Sequence, residues 1–175
     1  VVDVRAAVRD DAALLHRLAA ATFALACPPH TTIEAIEDFI GTVLSETSFA
    51  GYLSDPQRAL FIAEDNGVGA GYAMVVFGEP ADADAAAAIS IRPTAELSKI
   101  YVLEGHHGQG VADALIERSL DEARARGSQG AWLGVNQENE RANRFYEKSG
   151  FAKVGTKRFL VGDRYEEDFV RERTL

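Results

Sequence analysis

Cysteine is almost missing from this chain. Cys27 is the only one in 175 residues, which excludes an internal disulfide framework and fits a reducing cytoplasm. A lone Cys after an Ala-rich helix, with no His in a partnering pattern, reads as a packed small residue and not as a nucleophile. Long hydrophobic runs are missing too: no stretch approaches a membrane span, and VVDVRAAVRDD at the start lacks the apolar core of a signal peptide. Basic residues are in deficit, 18 Lys+Arg against 27 Asp+Glu, for a formal net charge of −9. That balance argues against nucleic acid as the main partner. It suits a cationic substrate as well as it suits the ordinary surface of an acidic protein. No repeat, linker or low-complexity tail divides the chain, so residues 1–175 read as a single domain, with 47% hydrophobic residues to build a core. No pattern indicates a metal cluster, a nucleophilic triad or a covalent intermediate.

What is present centres on residues 96–126. Glu96–Leu103 is rich in strand formers (Leu97, Ile100, Tyr101, Val102) and reads as a strand. Gly105, Gly108 and Gly110 follow within six residues, a density that no helix or strand interior carries. A helix then begins at Val111, with Val111, Leu115, Ser119 and Ala123 on one stripe, and Gly127 ends it behind Arg124 and Arg126. Strand, glycine loop and helix N-terminus make an anion site, where first-turn N–H groups converge with loop amides. The same residues are consistent with a plain αβ turn. The loop is no Walker A loop, since no Lys-Ser/Thr pair follows, and no G-x-G-x-x-G fingerprint, since Asp113 stands at the third glycine's place.

Around this unit the chain alternates helix and strand signals. Val2–Val8 reads as a strand, and Asp10 or Asp11 is expected to cap a helix through Phe23. After Pro28-Pro29, Thr31 or Thr32 caps a second helix, and Phe49–Leu53 forms a short third. Arg58–Ala63 and Ala70–Phe77 are strands of a hairpin about Asn66-Gly67. Pro80–Thr94 includes an alanine run, Ala85–Ala88, with no packing stripe, and reads as a surface loop with room for one helical turn. Ala131–Val135 is a short strand beside the central one, with Trp132 in the core. A helix over Glu138–Ser149 puts Asn139 and Tyr146 on one side, with Asn136 the expected cap. Phe151–Leu160 and Tyr165–Arg173 close the chain as strands about Gly162-Asp163.

Asn139–Phe151 reads N-x-x-A-x-x-F-Y-x-x-x-G-F. Together with the loop His107-Gly108-Gln109-Gly110-Val111-Ala112 it resembles the GNAT superfamily of acetyl-coenzyme A-dependent N-acetyltransferases. Their pyrophosphate loop follows (Gln/Arg)-x-x-G-x-(Gly/Ala), and His107 departs from it. The resemblance implies an α/β fold with a mixed, mostly antiparallel sheet splayed between the fourth and fifth strands and helices on both faces. It implies that acetyl-CoA is the cosubstrate, with no metal. His107, Gly108, Gln109, Gly110, Val111 and Ala112 would hold the pyrophosphate. The backbone of Ile100, Tyr101 and Val102 would pair with the pantetheine, and Asn139 and Tyr146 would also contact the cofactor. Tyr146 stands where the family has the Tyr that gives its proton to the departing thiolate. Many relatives carry a Glu on the strand corresponding to Ala131–Val135, where this chain has Gly134. Glu96 is then the candidate base, and it is equally readable as an exposed strand-end carboxylate.

Within the superfamily the chain resembles the PaiA-type polyamine acetyltransferases. The residues that carry this are Glu96-Leu97, Ile100-Tyr101, Trp132-Leu133-Gly134-Val135 and Phe159-x-x-Gly162-Asp163. This implies a small cationic amine, spermidine or spermine, as acceptor, with an anionic rim drawn from Glu34, Glu37, Asp38, Asp163, Glu166 and Glu167. Neither nucleic acid nor membrane is an expected partner, and a homodimer is compatible. A protein or peptide N-terminal amine, or an acyl-CoA-binding module without transfer activity, are the alternatives.

Overall fold

A computed structural model of the chain describes residues 1–106 and 110–175; His107, Gly108 and Gln109 lie outside the described residues. One seven-stranded sheet organises it, in the order β1-β2-β3-β4-β5-β7-β6. The strands are β1 (Val2–Ala6), β2 (Arg58–Asp65), β3 (Val68–Phe77), β4 (Thr94–Val102), β5 (Gly130–Asn136), β6 (Ala152–Val161) and β7 (Arg164–Thr174). Every pairing is antiparallel except β4 with β5, which run parallel. That parallel contact holds only from Thr94↔Gly130 to Glu96↔Trp132; beyond it the two strands diverge. The sheet expected from the resemblance is therefore present, splay included.

Period-2 alternation sorts the side chains onto two faces. Phe61, Ala63, Ala73 and Val75 pack with Leu97 and Val102 under α5 (Val111–Ala125). Leu60, Ile62, Tyr72 and Met74 face the other way, against α1 (Ala12–Ala26) and α3 (Glu46–Ser54). Val111, Leu115, Ser119 and Ala123, the predicted stripe, are all buried. Asn66 and Gly67 turn the β2–β3 hairpin with φ of 52° and 84°, the left-handed pair of a type I′ turn. Gly71 pairs with Val102 at one end of the β3–β4 ladder, and a Cβ there would stand 2.6 Å from the Tyr101 carbonyl oxygen.

Four local readings need correction. Asp11 stands at the N-cap of α1 as expected, but its carboxylate makes no cap bond there; it accepts the Val8 N–H at 2.7 Å, closing the turn before the helix, and pairs with Arg5, while α1 runs on to Ala26. The short third helix starts earlier, at Glu46, because the Ser45 hydroxyl accepts the Ser48 N–H at 3.1 Å. The second, α2 (Ile33–Gly41), is capped by Thr32 as expected. The alanine run is not a surface loop: Ala83–Ala88 forms α4, capped by Asp82. Ala85 is fully buried beside Ile89, Trp132 and Val170. A small side chain sits there because the sheet surface is close, so no large apolar stripe is needed. Finally, α6 (Glu140–Lys148) starts later than predicted, and Asn139 caps it in place of Asn136.

The segment after α4 is pinned by Glu172 of β7. Its buried carboxylate accepts the Ser90 N–H at 3.1 Å, the Ile91 N–H at 3.0 Å and the Ser90 hydroxyl at 3.2 Å. Glu172→Ala would strand two backbone donors in a part-buried site. We expect a loss of about 3 kcal/mol of unfolding free energy, read as a shift in the urea midpoint.

Candidate active site

The β4–β5 divergence opens a cavity of about 530 Å³. Its floor is the strand pair itself, with Ile100 and Tyr101 on one side and Gly134 and Val135 on the other. Past Glu96 no residue of β5 pairs with β4, so the β4 edge from Ser98 to Tyr101 faces the gap. A β-bulge interrupts the β3 pairing between Met74 and Val75, leaving Ser98 as the extra residue on β4. At one end stands the N-terminus of α5. Gly110 is its N-cap with φ 79° and offers no side-chain cap, so first-turn N–H groups remain for a ligand. Nothing lies within 4 Å of where a Gly110 Cβ would be, and Ala112 lines the cavity beside it. Val111 faces the core and is 1% exposed, so it can contribute only backbone. His106 bonds Asp65 at 3.2 Å, which ties the start of the loop to the end of β2.

α6 forms the opposite wall. Asn139 and Tyr146 both line the cavity, as their i, i+7 spacing requires. The Asn139 Oδ1 is committed to the Ala142 N–H at 3.1 Å, which leaves its amide group for a ligand. Asn136 accepts the Glu138 N–H at 2.9 Å instead. Tyr146 is held edge-on against Phe145 and Phe151. Burial pushes its phenol up to about 12, so it stays protonated across any ordinary assay range. The Tyr101 ring stacks on Tyr72 with centroids 5.8 Å apart. Its phenol lies in the electrostatic reach of Tyr146, Cys27 and Asp168 and is held above the ordinary range, first by burial and then by those groups. Tyr101 thus brings a side chain to the cavity where only its backbone had been singled out.

The far end is a chamber of mixed charge. Glu96 is half-buried and lies inside β4, so it is no exposed strand-end group, and burial raises its pKa. Lys99, on the same face, is lowered to about 8 by burial, with Glu96 opposing the shift. From β7 come Glu166 and Asp168, 7% exposed each. His30 bonds Glu166 and lies 3.9 Å from Glu138 across the mouth. Phe23, Phe39 and Phe159 form an aromatic wall, Phe23 and Phe39 stacked at 4.5 Å. The Lys157 ammonium sits 5.3 Å from the centre of the Phe159 ring. Cys27 borders the chamber, and burial pushes its thiol up to about 11, which keeps it un-ionised. Of the rim expected from sequence, only Glu166 reaches the cavity. Glu34, Glu37, Asp38, Asp163 and Glu167 are exposed and do not line it. Asp168 was overlooked: in Glu166-Glu167-Asp168 three adjacent acids look like solvated surface. Period-2 alternation would have put Glu166 and Asp168 on one face, and which face is buried depends on pairing with β5 and β6.

The residues thus fit a cofactor with an anionic end and an extended amide-bearing arm. The α5 N-terminus meets the first and the open β4 edge the second. Residues 19–151 match the family model described as the acetyltransferase (GNAT) family. An uncharacterized N-acetyltransferase of Mycobacterium tuberculosis is 44% identical over 165 residues, covering 94% of this chain and 98% of that protein. The crystal structure of a PaiA N-acetyltransferase from Thermoplasma acidophilum in complex with coenzyme A superposes with a TM-score of 0.81 at 18% identity, covering 100% of this chain and 99% of that one. An acetyltransferase from Salmonella typhimurium, solved with acetyl-CoA, superposes with a TM-score of 0.67 at 20% identity over 100% of this chain and 94% of its own.

Proposed function

The chain belongs to the acetyltransferase (GNAT) family and is an N-acetyltransferase, and from that premise we propose that it moves the acetyl group of acetyl-CoA to a small primary amine of the polyamine class. The observation that carries this is the continuity of one cavity from the α5 N-terminus, past Tyr146, into a chamber holding Glu96, Glu166 and Asp168. In the resting protein a lysine ammonium already sits in this chamber, 3.9 Å from Asp168 and over an aromatic ring. An alkylammonium substrate would meet the same kind of environment.

In this reading Gly110, Val111 and Ala112 hold the pyrophosphate by backbone N–H groups. His107, Gly108 and Gln109, which precede them in sequence, are assigned the same task. Ile100, Tyr101 and Val102 bind the pantetheine arm through their backbone, and the Asn139 amide adds a side-chain contact. When bound, acetyl-CoA supplies an activated acyl group whose carbonyl carbon the amine attacks directly, forming the C–N bond as the C–S bond breaks. Tyr146 is placed to donate a hydrogen bond to the sulfur as negative charge develops there. The amine must first be neutral. A free alkylamine with pKa near ~10.4 is neutral in only about one molecule in 10³ at neutral pH. Glu96 and Asp168 are the carboxylates able to relieve it of its proton, Glu96 being the one singled out from sequence. The lone Cys27 suits a cytoplasmic setting.

Thiol release from acetyl-CoA against spermidine, spermine, putrescine, aminoglycosides and short peptides tests the acceptor. We expect spermidine or spermine to be used at the lowest concentration, with a monoacetylated product. Activity on peptides alone would move the acceptor to a protein N-terminal amine. Acetyl-CoA binding without any product would leave a binding module.

A further inference from the structure

We propose that Asp168, carried on β7, is the group that takes the proton from the acceptor ammonium, in place of any side chain of β4 or β5. The inference deepens the amine-acetylation reading above and rests on it.

The placement comes first. β7 runs antiparallel between β5 and β6, with Asp168 opposite Asn136 on one side and Lys157 on the other. Two residues back along β5, on the same face as Asn136, Gly134 presents no side chain to the cavity. A Cβ built there would stand 3.3 Å from Asp168 Oδ2 and 2.6 Å from Lys157 Cε. The space that a β5 side chain would occupy is therefore filled from the neighbouring strands, by a carboxylate and the stem of a lysine. No hydrogen bond to the Asp168 carboxylate is made among the described residues, and its ion-pair partner there, Lys157, is 3.9 Å away. Asp168 lines the open cavity, where a donor from a ligand can complete its hydrogen bonding. It shares the cavity with Tyr146, the group assigned to the thiolate.

Charge then separates Asp168 from Glu96. The cations acting on Glu96 are Lys157, Lys99 and Arg58, with Asp82 the one acid; another ammonium would be repelled there. Among the described residues the charges acting on Asp168 are one cation, Lys157 of β6, and three carboxylates: Glu166 beside it in the cavity, and Glu167 of β7 and Asp82 before α4 outside it. The phenol of Tyr101, from β4, is a further titratable neighbour, and Glu96, Cys27 and Tyr146 line the same cavity. Such surroundings draw an ammonium in and favour the carboxylate keeping a proton. Burial, opposed by Lys157 and aided by the acids, raises Asp168 to about 6, close to the value a base needs at neutral pH. The step balances simply. One N–H proton passes from the ammonium to the Asp168 carboxylate, the freed nitrogen pair forms the C–N bond as the C–S bond breaks, and the second N–H proton, shed by the acylated nitrogen, ends on the departing sulfur, which Tyr146 meets with a hydrogen bond.

The sign of the pH effect follows. The base works ionised, so kcat/KM should rise as pH increases through about 6 and level above it. Asp168→Asn should lower kcat/KM for spermidine by about 100-fold, abolish that limb, and leave the Kd for acetyl-CoA unchanged. Lys157→Met removes the cation paired with Asp168 among the described residues and should move the limb to higher pH, which a merely structural carboxylate would not do. An Asp168→Asn enzyme that keeps its acid limb, or a limb that stays put in Lys157→Met, overturns the assignment. If wild type acetylates no amine at all, the amine reading falls, and carboxyl carbon-13 NMR decides for Asp168. Titration near 6 that moves up in Lys157→Met would then keep Asp168 as the poised carboxylate of the chamber without its amine role, and titration near 4 in both proteins removes it altogether.

Discussion

Tyr146→Phe should lower kcat for amine acetylation by about 10²–10³-fold while the Kd for acetyl-CoA stays within a factor of about two, the loss expected when one donor to a developing charge is removed. The substitution takes away a single oxygen and keeps the ring between Phe145 and Phe151, so packing is conserved. Burial holds the phenol at about 12, too weak an acid to surrender its proton outright to a thiolate of ordinary thiol basicity, about 8.5. In the proposed mechanism its contribution is therefore a hydrogen bond that strengthens as the C–S bond breaks, felt in the transition state and hardly in the ground state. The kinetic signature is a drop in kcat with KM for both substrates little changed. Stopped-assay kinetics at saturating amine together with calorimetric binding of acetyl-CoA would read both quantities. Unchanged turnover would remove Tyr146 from this role.

Gly71→Ala should destabilise the protein by about 3 kcal/mol, the cost of overpacking a site that cannot give way, and lower the melting temperature by about 10 °C. The new methyl would meet the Tyr101 carbonyl oxygen at 2.6 Å, with Leu115 Cδ1 and Val102 Cα both at 3.3 Å. Backbone cannot swing aside as a side-chain tip can, so β4 must shift away from β3. Behind β4 lies the open cleft, and Ile100 and Tyr101 form its floor. A loss of acetyl-CoA affinity should accompany the lower stability, though no atom of Gly71 lines the cavity. Differential scanning calorimetry and a cofactor titration check the pair. A melting temperature within a degree or two of wild type would show that the β3–β4 contact is softer than its geometry implies.

The parts of this fold written in local patterns could be read before any coordinates. Asn66-Gly67 announced a hairpin because a left-handed residue pair needs those side chains. The Val111–Ala123 stripe announced the helix face, and Gly105 and Gly110, both with positive φ, marked the turn that aims the helix at the cleft. Tyr146 was reachable only through its motif, since an aromatic beside Phe145 otherwise reads as packing. What stayed hidden is what pairing between distant strands decides. Asp168 becomes a cavity residue because β7 inserts between β5 and β6, with 31 residues, Gln137 to Glu167, between it and Asn136 at the end of β5. The Ala85–Ala88 run lacked an apolar stripe because its burial beside Trp132 depends on small size, a demand set by the sheet surface. Asn136 and Asn139 are equally good caps by composition, and only the backbone at each position decides that Asn139 receives the helix.

The most direct measurement is product mass after incubating the protein with acetyl-CoA and spermidine. Expected is spermidine carrying one acetyl group on a primary nitrogen, formed in step with free coenzyme A and suppressed in Tyr146→Phe. Tight acetyl-CoA binding with no acetylated product from spermidine, or from any other amine of the panel, would contradict an acetyl-transferring site at the β4–β5 cleft.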